Sequence, residues 1–134
     1  MEDTLKMLQK KSGMLCRLCP PLEEQHYEQD RAMLPGDLFE LLKISDGIHE
    51  MMIHPNANDG KPFVIGSIVY SFNEIITETK TFSELFGNEG IAFAGNGAGG
   101  YYIIKPDGKI YLYEYVGEDG EYYAENIKQY LEKY

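Results

Sequence analysis

The sequence predicts an α+β fold: a mainly antiparallel sheet with N-terminal helices and a C-terminal amphipathic helix packed on it. Three observations lead there. Helical spacing broken by prolines dominates the chain before Ser45. Runs rich in β-branched and aromatic residues fill the middle, with glycine-rich and Pro-Asp-Gly turns between them. Apolar positions three and four apart then return at the C-terminal end. Helices, then strands, then a closing helix is the order of an α+β protein. The 134 residues read as a single domain, 1–134, with no repeat, linker or low-complexity segment. A chain of this size buries about two thirds of its unfolded surface.

The elements follow in order. Leu5, Leu8, Leu15 and Leu18, with Met7 and Met14, are spaced for a helix over residues 3–18 interrupted near Gly13. Pro20 stops it, and Pro21 suits the first turn of a second helix running through Glu23 and Glu24 to Met33. After the break at Leu34-Pro35, residues 37–43 form a short helix, with acid in its first turn, lysine in its last and Gly47 as its C-terminal cap. Residues 51–53 and 64–70 are strands on either side of a loop over residues 55–62. Ser71-Phe72-Asn73-Glu74 matches a capping box, so a helix begins around Ile75-Ile76. Thr81-Phe82-Ser83-Glu84 repeats the signal before Leu85-Phe86-Gly87. Residues 91–94 are a strand, and residues 101–104 and 110–116 form a hairpin about Pro106-Asp107-Gly108. From Glu121 to Tyr134, the spacing of Tyr123, Ile127, Tyr130, Leu131 and Tyr134 gives the closing helix.

Gly95-Asn96-Gly97-Ala98-Gly99-Gly100 satisfies the dinucleotide-binding spacing Gly-x-Gly-x-x-Gly. That fingerprint works between a strand and a helix, whose first amides and dipole receive a pyrophosphate. Here a strand follows, so the glycines are read as a tight strand-to-strand turn needing positive φ. A second reading stays open, in which the loop's amides form a nest for a small anionic ligand without a helix.

The net charge is −10, from 22 acidic and 12 basic residues. It predicts a basic protein partner and argues against nucleic acid and anionic membranes. No apolar run reaches the roughly 18 residues that span a bilayer, and Met1-Glu2-Asp3-Thr4 lacks the basic start of a secretory signal, so a soluble, cytoplasmic protein is expected. No cofactor is implied. Cys16 and Cys19 have half the spacing of a zinc site, which only His49 and His54 from a distant segment could help complete. No strand leads into the pair as a thioredoxin-like motif requires, and two buried or half-buried thiols are the simpler reading. In His49-Glu50-Met51-Met52-Ile53-His54 the histidines lie one residue too far apart for a zincin pair, and the segment reads as an edge strand. No Gly-x-Ser-x-Gly elbow occurs, and Ser12, Ser45, Ser67, Ser71 and Ser83 have no evident base partner. The chain therefore offers no catalytic constellation.

Nine of the eleven tyrosines lie from Tyr101 onward. Tyr111, Tyr113 and Tyr115 share one face of the expected strand, with Ile110, Leu112 and Val116 on the other, interrupted by Glu114. With the aliphatic face inward, the tyrosines form a half-exposed ladder beside Glu114, Glu118, Asp119, Glu121 and Glu125. Such a surface suits protein binding, because tyrosine gives large contact area with few rotors. The alternative packs these tyrosines under the C-terminal helix with their hydroxyls at the rim.

Leu34-Pro35 before the Leu38-Leu41-Leu42 helix and Asp46-Gly47, the Tyr70-Ser71-x-x-Glu74-Ile75 step, and Phe93-Ala94 with Gly95–Gly100 leading to Ile110-Tyr111 together resemble the SMI1/KNR4 family of the SUKH superfamily. The resemblance extends from about Glu28 through Leu131. It implies an α+β fold and, as for bacterial members, a non-catalytic immunity protein that neutralises a cognate toxin, often a nuclease, whereas fungal members act in cell-wall signalling. The alternatives are a general interaction or regulatory module, and a small-ligand binder using the glycine loop.

Overall fold

The computed structural model describes residues 1–12, 15–27 and 33–134, with the backbone alone for His26. Helix α1 (Glu2–Ser12) buries Thr4, Leu5 and Leu8, with acids in its first turn and lysines in its last. It does not continue to Leu18, because Cys16–Leu18 is a strand, β1. That strand pairs antiparallel with β2 (Ile48–Met52), Cys16 opposite Glu50 and Leu18 opposite Ile48. Cross-strand pairing overrides the weak helical preference of so short a stretch. Gly13 and Met14 lie outside the described residues.

The helix expected from Pro21 to Met33 does not begin where the prolines suggested. Glu23 is extended, Glu24–His26 form a 3-10 turn, and Tyr27 and Met33 are helical on either side of residues 28–32, which lie outside the described residues. The segment before the turn is bound to its neighbours instead: Leu22 donates its amide to the Leu42 carbonyl at 2.9 Å and buries its side chain.

Helix α2 (Gly36–Ile44) buries Leu38, Phe39, Leu41 and Leu42. Its C-cap is Ser45, not Gly47. Gly47 serves a different contact: its φ is +102°, and a Cβ there would lie 3.0 Å from the Ser71 nitrogen. This close approach brings Asp46 to the start of the next helix, where its Oδ1 accepts from the Phe72 amide at 2.8 Å.

Strand β3 (Phe63–Val69) completes a three-stranded antiparallel sheet of order β1-β2-β3. The His49 segment is thus the central strand of its sheet and not an edge. Helix α3 (Phe72–Phe86) starts on the expected capping box, with Ser71 and Glu74 bonding reciprocally. It runs through the second signal, whose Thr81 hydroxyl donates to the Thr77 carbonyl inside the helix. The helix ends at Gly87, which is left-handed.

Strands β4 (Ile91–Gly95), β5 (Tyr101–Ile104), β6 (Ile110–Tyr113) and β7 (Glu121–Ala124) form an antiparallel meander in sequence order. The last corrects the sequence reading, since residues 121–124 were expected to open the closing helix. They pair with β6, Ala124 opposite Ile110 and Tyr122 opposite Tyr111. Asn126 then accepts from the Gln129 amide at 2.8 Å and starts α4 (Ile127–Lys133).

The two sheets meet where the Tyr70 amide donates to the Phe93 carbonyl at 2.7 Å. Both faces of the meander are covered. Ile104, Ile110 and Ala124 join the main core with Ile127, Tyr130 and Leu131 of α4, while Tyr101, Ile103 and Tyr113 pack around Phe82 of α3. Buried Tyr130 ties the layers together by donating its hydroxyl to the Ile68 carbonyl at 2.6 Å. Among the described residues no helix is long and apolar enough to cross a membrane.

Candidate functional site

The tyrosine face of β6 is divided by where the strand ends. Tyr113 pairs with Tyr101, the first residue of β5, and beyond that pair the strand has no partner. The chain therefore leaves the sheet at Glu114, and Tyr115 is displayed on a loop. The expected three-rung ladder is one buried ring, one half-buried ring and one ring 63% exposed, in the order Tyr113, Tyr111, Tyr115. Val116 likewise leaves the aliphatic face and is 64% exposed.

Buried Tyr113 packs edge-on against Phe82 and Phe86 at centroid distances of 5.0 and 5.9 Å. The helix over this face is α3, not the C-terminal helix of the alternative reading. The C-terminal helix instead meets Tyr102 and Tyr123, whose rings lie 5.1 and 5.9 Å from that of Tyr130. Gly120 closes over Tyr113 so tightly that a Cβ would lie 2.4 Å from its ring. The loop between them is thereby pinned at both ends, and it carries Glu114, Glu118 and Asp119, with Glu121 at the start of β7, all exposed. None of these four carboxylates forms a salt bridge among the described residues; the ion pairs are Lys43–Glu40 and Lys109–Glu125.

A cleft of about 360 Å³ lies beside the loop, lined by Asn88, Lys105, Asp107, Tyr111, Tyr113 and Asp119 among others. Lys105 donates to the Tyr113 hydroxyl at 2.8 Å, and its ammonium lies 5.5 Å from the centroids of both Tyr111 and Tyr113. The bond to Tyr113 pushes the Lys105 pKa up. Asp107 serves the turn, accepting from the Lys109 amide and the Tyr111 hydroxyl. Lys105 and Asn88 belong to no motif in the sequence, and only the fold brings them to the tyrosines.

The glycine loop is a strand-to-strand turn, as read from the sequence. Gly97 and Gly99 take φ of +80° and +87°. The Asn96 side chain fills the loop's interior: its Oδ1 accepts from the Ala98 amide at 2.9 Å and the Gly100 amide at 2.8 Å. Those two amides are engaged within the chain. Gly95 packs where a Cβ would lie 2.5 Å from the Tyr70 hydroxyl, and Gly100 where one would meet Asn96 at 2.6 Å. Nearby, the Tyr101 hydroxyl donates to Glu78 at 2.6 Å, and burial together with that bond raises its pKa.

The thiols are buried at Cys16 and half-buried at Cys19, in line with the sequence reading. Burial, reinforced by Cys19, pushes the Cys16 thiol up to about 11. The Cys19 amide continues the strand by donating to Gly47, and an extended separation of three residues spans about 10 Å, beyond the reach of a disulfide. His49 faces Arg17 across the sheet, ring nitrogen to guanidinium at 3.3 Å, while His54 accepts from the Asn56 amide. The structure does not gather the two cysteines and two histidines into one site, and no metal-ligand cluster occurs among the described residues.

Comparison with protein-family models, with curated proteins and with solved structures returns no match to this chain.

Proposed function

We propose that this protein is a non-catalytic, cytoplasmic inhibitor that binds a basic protein partner, a bacterial toxin of the nuclease type, through the loop from Glu114 to Glu121. The observation that carries the reading is the loop itself. It displays Tyr115 and Val116 beside four carboxylates that no basic side chain of the described residues neutralises. A surface made for nucleic acid is basic, so a nuclease's substrate face complements this one in charge. Complementary charge also speeds association, which an inhibitor racing a toxin requires. The exposed ring and isopropyl group supply the apolar centre of the contact, with the acids as its rim. The resemblance to SMI1/KNR4 immunity proteins supports the same reading.

The test is co-expression with the toxin encoded beside the gene. Growth rescue and a stable complex are expected. Changing Glu114, Glu118, Asp119 and Glu121 together to their amides should slow association at least tenfold at low salt and flatten its salt dependence, with the fold retained. No rescue and no complex would overturn the reading. A complex with a partner that is not a toxin would identify a general interaction module instead.

A further inference from the structure

Tyr111, Tyr113 and Tyr123 each carry a lysine over the ring. The Lys105 ammonium lies 5.5 Å from the centroids of Tyr111 and Tyr113, and that of Lys133 lies 4.4 Å from Tyr123. Tyr122 carries none among the described residues and is 54% exposed. The register fixes its surroundings. Tyr122 pairs with Tyr111 across β6 and β7, and the two rings meet edge-on at 6.1 Å and 84°. Both lie on the same face as Tyr113, which Phe82 and Phe86 of α3 cover, but Tyr122 stands on the last strand of the sheet, beyond that cover. Its neighbour Tyr123 turns to the other face, 4.9 Å from Tyr102. The hydroxyls of the pair are tied to carboxylates, Tyr111 donating to Asp107 at 3.1 Å and Tyr122 to Glu125. A phenol that donates to an anion presents a more negative ring face.

We propose that Tyr122 is an arginine-stacking site, on which the basic partner lays a guanidinium flat against the ring while its edge donates to Glu125. The inference rests on the proposed basic partner and names the side chain that partner brings. Charge selects the occupant. Around the two rings Asp107, Asp119, Glu121 and Glu125 outnumber Lys105 and Lys109, and Lys109 already pairs with Glu125 at 4.0 Å. A cation is favoured there, and a second copy of this chain, at net charge −10, is repelled. The chain's own lysines show what these rings attract. Arginine suits Tyr122 better than lysine, because one planar group can stack on the ring and donate along its edge at once, whereas an ammonium is a strongly hydrated point charge. A ring this exposed encloses no small molecule. A partner held at the acidic loop can supply the arginine, since Asp119 and Gly120 join Tyr122 directly to that loop.

Octa-arginine and octa-lysine peptides test the inference on the full chain without the partner. Titrations at physiological ionic strength, followed by NMR through the tyrosine ring signals, should show octa-arginine binding about three- to fivefold tighter. Tyr122→Ala should abolish that preference, and Tyr122→Phe, which keeps the ring, should retain it. The circular dichroism of both variants should match the native chain, because the side chain is more than half exposed. Equal affinity for the two peptides overturns the proposal. So does a preference that survives Tyr122→Ala, or one that is lost in Tyr122→Phe. The peptides read this site alone, whereas co-expression with the toxin reads the inhibitor function, so either result can fail while the other holds.

Discussion

Asn96→Ala separates a self-supporting turn from a ligand-binding nest. The Asn96 carboxamide oxygen holds the amides of Ala98 and Gly100, at 2.9 and 2.8 Å. The two bonds differ in value. Ala98 is exposed, so water replaces its lost partner at small cost, whereas Gly100 is buried and its orphaned amide costs the full desolvation penalty. The sum is about 2 kcal/mol, read as a shift in the urea midpoint at constant slope. Asn96→Asp keeps the acceptor and should recover most of that loss, within about 0.5 kcal/mol of the native chain. Replacing Gly97 or Gly99 by alanine meets no steric obstacle, since nothing lies within 4 Å of either added Cβ. It forces a left-handed alanine and costs about 1 kcal/mol by that route alone. An Asn96→Ala chain as stable as the native one, or an aspartate as damaging as the alanine, would refute the assignment of the loop's stability to this side chain.

Cys16 and Gly120 carry the remaining outcomes. With its pKa raised from the usual 9.0 to about 11, the Cys16 thiol should resist iodoacetamide at pH 8 in the folded protein and react once urea unfolds it. Because the folded pKa lies above the unfolded one, its stabilising contribution is complete below pH 9 and is lost as pH rises towards 11; Cys16→Val should remove that part of an alkaline denaturation profile. Gly120→Ala places a methyl group 2.4 Å from the Tyr113 ring and must displace it, loosening the acidic loop without changing its charge. Binding of the partner should weaken several-fold through faster dissociation while the salt dependence of association is kept, as measured by surface plasmon resonance.

The parts of this fold that could be read from sequence are those decided within a few residues. Ser71 and Glu74 complete a capping box by reaching each other's backbone, and Pro106-Asp107-Gly108 closes a hairpin through the Asp107 carboxylate. Residues 16–18 and 121–124 were misread because their partners lie elsewhere. Leu15 and Leu18 keep a helical interval, yet the strand is made by β2, some thirty residues away in the chain. Tyr123 likewise fits the period of the closing helix, but its segment pairs with β6, and the helix waits for Asn126 to cap it. A segment this short satisfies the periods of helix and strand alike, so the distant partner decides between them.

The site illustrates the same limit at the level of one side chain. Three tyrosines at alternate positions imply a common face, but a face exists only as far as the neighbouring strand extends. Strand β5 begins at Tyr101, so β6 loses its partner after Tyr113, and the register consigns that ring to the core and Tyr115 to solvent. Gly120 then fixes the return of the chain, because only a residue without Cβ can lie against the Tyr113 ring. Composition does locate the acids and the tyrosines in the same stretch of chain. What it omits is that the buried Tyr113 ring, with Gly120 packed against it, holds the two ends of the loop that displays Tyr115. A binding loop held in this way loses less conformational freedom on association. On the proposed inhibitor reading, the shape of the loop, separately from its charge, is therefore part of the contact, and Gly120→Ala tests the shape while the amide substitutions test the charge.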